Sequence, residues 1–283
     1  MTTRRPYRTD LTDEQWVLIE PVLTKWRADR RSIRPPVHGL REIVNAIFYV
    51  NRTGVPWDLL PHDFPPAKTV YDYYAKWSKD GTDQAIHDLL RTKTRQHHGR
   101  ADEPTAAMLD SQSAKSAFST DADTVGIDGN KKVRGRKRSI VTDTLGLLLL
   151  VLVTAANVHD VHPGRHLVDM VADRHPTISK MWGDTAYRGA VDHAATKNID
   201  LEITTKGLGV KGFQPLWHCW KIERTLGWFG RSRRLARDYE TTPRSQESQI
   251  YWTMAGIMLR RVTNTSPVTT YRTTPETPLP ASI

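Results

Sequence analysis

Three carboxylates are the residues best placed to do chemistry. Asp110 closes the run Ala-Ala-Met-Leu-Asp (106–110), Asp184 closes Lys-Met-Trp-Gly-Asp (180–184), and Glu223 lies in a helical stretch that begins near Trp220. Each apolar lead-in predicts a buried strand or helix face that holds an acid at a fixed place. Carboxylate oxygens suit Mg2+, or Mn2+ as an alternative, and leave coordination positions for water and substrate phosphate oxygens. Two such ions a few ångströms apart can activate an attacking oxygen on one side of a phosphorus and stabilise the leaving oxygen on the other. On a chain with 41 Lys plus Arg against 31 Asp plus Glu, this is the chemistry of cutting and joining DNA. Glu223 has a plainer alternative, as a surface acid paired with Arg224 or Lys221. Among the other acids, Asp143 reads as a turn residue, Asp128 and Asp160 as loop residues, and Glu240 as a helix-end residue.

The positive charge is spread along the chain. Residues 1–100 carry 17 basic and 12 acidic side chains and residues 101–265 carry 23 and 18, so each part is +5. Such a field favours a polyanion that spans both parts, as double-stranded DNA would. With Cys219 as the single cysteine, an internal disulfide and a cysteine-rich zinc ribbon are both excluded. The longest apolar run, 145–156, is too short to span a membrane, and a soluble intracellular protein is expected.

The first hundred residues read as helices. Thr12 followed by Gln15 is a capping-box pattern, with Trp16, Ile19, Leu23 and Trp26 at helical spacing behind it and Pro21 expected to kink or shorten the helix. A second helix presents Leu40, Ile43, Val44, Ile47 and Phe48 and stops at Gly54. A third, expected to be capped by Thr69, turns Val70, Tyr73, Tyr74 and Trp77 inward. This is a small all-α helix-turn-helix-like domain, 1–100. The outer face of its third helix, with Lys68, Tyr71, Asp72 and Lys76, either enters a DNA groove or is the polar surface of an ordinary bundle. The domain boundary is placed at His97-His98-Gly99-Arg100.

Beyond it the expected order is strands 105–110, 136–142 and 147–155, helix 163–174, strand 178–184, helix 189–197, strand 200–205, and helices from 218 to about 239 and from 246 to 262. Hairpin-like strands followed by alternating helix and strand make an α/β fold, a ribonuclease-H-like mixed sheet with helices on both faces, over 101–265. In that order the ends of the first and fourth strands are neighbours, so Asp110 and Asp184 face each other and Glu223 comes in from a following helix. Residues 266–283, rich in Thr, Ser and Pro, read as a flexible tail.

Six of the eight residues 131–138 are basic: Lys131, Lys132, Arg134, Arg136, Lys137 and Arg138. They either neutralise DNA phosphates beside the cut or form a solvated loop. The segment bearing Arg231, Arg233, Arg234 and Arg237 reads the same way. Gly227 and Gly230 leave room either for close backbone approach or for helix packing. His159, Asp160, His162 and His166 resemble a transition-metal set, but Pro163 and Gly164 interrupt helical spacing and loop capping is the alternative. Trp217 and Trp220 read as core, with base stacking as the alternative.

Several blocks together carry a resemblance. Leu-Thr-Asp-Glu-Gln-Trp (11–16), Gly-Val-Pro-Trp-Asp-Leu-Leu-Pro (54–61), Lys-Thr-Val-Tyr (68–71), Met-Leu-Asp-Ser-Gln-Ser (108–113), the basic block 131–138 and Asp-Thr-Leu-Gly (143–146) are the first of them. Ala-Asn-Val-His-Asp (156–160), Gly-Asp-Thr-Ala-Tyr-Arg-Gly (183–189), Ile-Glu-Arg-Thr (222–225) and Arg-Arg-Leu-Ala-Arg-Asp-Tyr-Glu (233–240) complete the set. In this order and spacing they resemble the insertion-sequence-five family of bacterial DDE transposases. Ser139 departs from the pattern, standing where relatives often have histidine. The resemblance implies that Asp110, Asp184 and Glu223 are the DDE residues. It also implies that transposon ends are cut by a metal-activated water and joined to target DNA by the freed 3′ hydroxyl. Tyr187, Arg188 and Arg224 fall within its signature blocks, as candidates to position DNA. Joining two ends implies a homodimer or higher assembly on DNA. Two other classes compete: a transposase-derived DNA-binding protein that no longer cuts, and a nuclease acting on generic nucleic acid.

Overall fold

The computed structural model describes residues 4–30, 37–204 and 219–265. Four helices come first: α1 (Asp13–Ala28), α2 (Leu40–Thr53), α3 (Ala67–Asp80) and α4 (Thr82–His97). The capping box at the start of α1 is formed in both directions: Gln15 N donates to Thr12 Oγ1, and Thr12 N to Gln15 Oε1. Pro21 does not end that helix, which runs on to Ala28. The fully buried Ile19 and Leu23 on either side secure it through the missing hydrogen bond. Thr69 is not a cap. It lies inside the first turn of α3, which begins behind Pro66.

The remaining elements are β1 (Ala106–Lys115), β2 (Gly126–Asp128), β3 (Val133–Asp143), β4 (Leu148–Ala155), α5 (Val161–Arg174), β5 (Lys180–Gly183), α6 (Val191–Ala195), β6 (Asp200–Ile203), α7 (Cys219–Phe229), α8 (Arg233–Ala236) and α9 (Pro243–Val262). The sheet runs β4-β3-β1-β5-β6, with β2 pairing the first residues of β3. β3 is antiparallel to β1 and β4, whereas β1, β5 and β6 are parallel. This is the ribonuclease-H-like mixed sheet expected from the order of elements. Several details differ from expectation, β2 being a strand that was not expected. β1 continues five residues past Asp110, because β3 pairs with it as far as Lys115. α5 starts at Val161, so Pro163 and Gly164 sit in its first turn, where proline is tolerated. The single helix expected over 218–239 ends at Phe229 and resumes only as the short α8.

Alternation along the strands assigns the two faces. Ala107, Leu109, Val141 and Leu149 pack under α5 and α6. Met108, Ile140 and Leu148 face α7 and α9, in one apolar cluster that also takes in Ile19, Ile43, Trp77 and Leu90 from α1–α4. No helix among the described residues is long and apolar enough to cross a membrane.

Candidate active site

The register between the two parallel strands positions two of the three acids. Leu109 pairs with Gly183, the last match between β1 and β5. Asp110 and Asp184 are the next residue on each chain, so they stand side by side at about the 4.8 Å spacing of neighbouring strands. Both follow the alternation of Met108 and Trp182 and so lie on the face covered by α7. Glu223 and Ile222 of that helix close a cleft of about 170 Å³ with Met108, Leu109, Asp110, Trp182, Gly183 and Asp184. Local bonds hold the two aspartates. Ser111 N donates to Asp110 Oδ1 at 2.6 Å, and Ala186 N donates to Asp184 Oδ1 at 3.0 Å, which makes Asp184 the cap of the short turn that follows.

The third acid is placed by a turn remote from it in sequence. Gly146, at φ +77°, closes the β3–β4 turn in the left-handed region that favours glycine. Thr225 Oγ1 donates to Gly146 O at 2.6 Å and Arg224 Nη2 to Leu145 O at 2.9 Å, so the turn clasps α7 from below. A Cβ on Gly146 would come within 2.9 Å of Thr225 Oγ1 and 3.2 Å of Lys221 O. Glu223 points to the open side and makes no ion pair among the described residues, neither with Arg224 nor with Lys221. Gly227, one turn on, would bring a Cβ within 4 Å of nothing among the described residues.

The electrostatics are those of crowded acids. Burial pushes the Asp110 carboxyl up to about 7, and the charges of Asp184 and Glu223 add to the shift. Asp184 is also raised, by partial burial and by the nearby charge of Asp160. Lys131 lowers both from the open side. Three carboxylates in one cleft, repelling one another, are the donor set that a hard divalent cation would offset. Among the described residues no three His, Cys, Asp or Glu side chains enclose an ion by themselves. That holds for His159, His162 and His166 too, which are exposed; His159 Nδ1 accepts from Val161 N at 3.4 Å, the loop-capping alternative.

Asp160, read from sequence as a loop residue, is tied to the site. Its Oδ1 accepts from Ser111 Oγ at 2.9 Å and lies 3.1 Å from Lys137 Nζ. The signal for it was its block, Ala-Asn-Val-His-Asp.

Half of the basic block is unavailable to any ligand. Lys131, Lys132 and Arg134 are exposed, but Arg136, Lys137 and Arg138 are buried. Arg136 Nη1 meets Asp238 Oδ2 at 3.2 Å and Glu240 O at 3.0 Å, and Arg138 Nη1 donates to Leu235 O at 2.9 Å. Lys137, on the opposite face, donates to Val158 O at 3.0 Å. Arg136 and Arg138 anchor α8 and the segment after it to the sheet. Arg234 is likewise buried, with Nε 2.6 Å from Glu240 Oε1. Tyr187 is buried too: its ring fills the space that side chains at Gly164 and Gly183 would need, so it cannot touch DNA from there. Arg188 and Arg231 are exposed and Arg224 is half-buried. On α3, Lys68, Tyr71 and Lys76 are exposed, and Lys68 is engaged with Asp72 at 3.2 Å. Trp220 is not core, being 49% exposed. Trp217, His218 and the tail 266–283 lie outside the described residues.

Residues 101–259 match the family model of the transposase DDE domain, and residues 11–87 match that of putative transposases of the IS4/5 family. A putative transposase for insertion sequence element IS402 from Burkholderia cepacia is 30% identical over 119 residues, 38% of this chain and 54% of that protein. The chain thus spans about half the length of that curated relative. No solved structure matches it.

Proposed function

The chain belongs to the transposase DDE domain family, and on that premise we propose that it is the DNA transposase of an insertion sequence, which binds terminal inverted repeats and catalyses strand cleavage and strand transfer. The observation that carries this reading is the register of Leu109 with Gly183, which brings Asp110 and Asp184 abreast in the cleft that Glu223 closes. Asp110, Asp184 and Glu223 would hold Mg2+ or Mn2+, which would supply activation of an attacking oxygen and stabilisation of a leaving one. The three carboxylates alone do not fill the shell of such an ion, which leaves positions that substrate oxygens could take. Lys131, Lys132, Arg134 and Arg188 offer exposed charge for the flanking phosphates. The helical part, 1–100, reads the DNA end through Lys68, Tyr71 and Lys76 of α3, and 101–265 performs the chemistry.

The test is incubation with the DNA flanking its own coding region in Mg2+, followed by mapping of the cut strands. Defined 3′ hydroxyl ends that vanish in Asp110→Asn, Asp184→Asn and Glu223→Gln are expected. Cutting that persists in those variants defeats the assignment. The same experiment would show end binding without turnover as binding with no cut. Joining two ends in one event calls for a homodimer or larger assembly, and strand transfer by a lone protomer, weighed on DNA by native mass measurement, would contradict it.

A further inference from the structure

A second hollow, about 500 Å³, shares no lining residue with the carboxylate cleft and is walled by Arg52, Trp228, Arg231, Arg260 and Arg261 together with His97. Its charge is of one sign. Arg231, Arg260 and Arg261 have no carboxylate within ion-pair distance among the described residues. Arg260 is pushed down to about 10, first by burial and then by the charges of Arg52, Arg231 and Arg261. Arg261 is lowered by burial and by Arg224 and Arg231, with Asp143 the opposing acid that reaches it. A guanidinium at such a value is still protonated at neutral pH. The folded chain therefore keeps several half-desolvated cations together with little to offset them, an arrangement that an anion rich in oxygen would relieve.

One guanidinium of the hollow, that of Arg261, also rests on a ring. Trp220, Arg224 and Trp228 recur every four residues along α7, and Arg261 of α9 adds to the far end. Arg224 lies 4.8 Å from the ring of Trp220 and 4.9 Å from that of Trp228, and Arg261 lies 4.3 Å over Trp228. Stacked planar cations present paired N–H groups edge-on, the geometry that fits two phosphate oxygens at once. The same helix carries Glu223, five residues before Trp228.

We propose that this hollow is a phosphate clamp, in which Arg231, Arg260 and Arg261 grip backbone phosphates of the DNA whose cleavage is assigned to the carboxylate cleft. It rests on the function proposed above, and extends it to residues of α9 remote from the three acids in sequence. Phosphate contacts of this sort fix register without reading sequence.

The test uses the full chain, a labelled duplex of its own end, and binding followed by anisotropy over a range of salt concentrations. In the double variant Arg260→Met, Arg261→Met, the slope of log affinity against log salt is expected to become shallower by about 2, for two phosphates no longer neutralised. The loss should be equal on end and random duplex, and Arg260→Lys, Arg261→Lys should restore most of the slope. An unchanged slope in the methionine variant overturns the clamp. Inorganic pyrophosphate supplies a second readout that needs no variant: it should raise the melting temperature of the unaltered protein, and no rise overturns the clamp as well. Cutting by Asp110, Asp184 and Glu223 is read separately, so loss of the clamp with metal-dependent cleavage intact leaves the carboxylate assignment standing.

Discussion

Two groups of arginines in this molecule look alike in composition and differ in company. Arg136, Arg138 and Arg234 are buried among carbonyls and the carboxylates of Asp238 and Glu240, and their charge is spent on holding the segment after α8 to the sheet. Arg231, Arg260 and Arg261 line a hollow in which their neighbours are mainly other arginines. The density of charge along a sequence therefore says little about its availability. What decides is whether a partner arrives from elsewhere in the fold, and Asp238 reaches β3 from about a hundred residues away.

The contrast can be broken most sharply by removing a cation from each group. Arg136→Met strands the buried carboxylate of Asp238, and a loss of about 3–5 kcal/mol is expected in urea unfolding. If Arg260→Met costs as much, the distinction between the groups is wrong.

The acid cleft supplies the mirror case of charge without company. The carboxyl of Asp110 sits at about 7 in the folded chain, above its unfolded value of 3.8. The folded state then holds a proton that the unfolded state releases, so the contribution of Asp110 to metal-free stability is fullest below about pH 4 and is lost as pH rises through about 7. Asp110→Asn should flatten that slope in EDTA and raise stability at pH 8 by about 2–4 kcal/mol. An equally steep decline in the variant would place the cause elsewhere.

A smaller effect probes the element common to the cleft and the hollow. Gly146→Ala forces a side chain into left-handed backbone against Thr225, with a cost of about 1–3 kcal/mol. Because α7 rests on this turn, both metal-dependent cleavage and the salt slope of DNA binding should suffer; a variant that loses stability alone would separate the turn from both. The smallest change is expected for Arg260→Met itself, within about 0.5 kcal/mol of the unaltered protein or slightly more stable, measured by the same urea titration.

Local rules carried much of the fold into the sequence reading. Thr12 and Gln15 announce the start of α1 because both halves of the bond lie within four residues, and Asp-Thr-Leu-Gly announces the β3–β4 turn for the same reason. The pairing of Asp110 with Asp184 was legible as a consequence of strand order, since each closes an apolar run. The misread parts all depend on distant partners. Pro21 survives inside α1 because tertiary burial of Ile19 and Leu23 outweighs one lost hydrogen bond. Tyr187 is taken out of reach by Gly164, on another element. Arg260 and Arg261 drew no reading from the sequence, and only the approach of α2 and α7 turns them into the wall of a hollow.

The apolar cluster beneath α7 and α9 draws on Ile19, Ile43 and Trp77 as well as on Met108, Leu148 and Trp252. The first hundred residues are thus not an appendage tethered to a self-sufficient catalytic body. Heat should meet one cooperative unit, and a nick between His98 and Thr105 would leave two fragments still clinging to the oil they share.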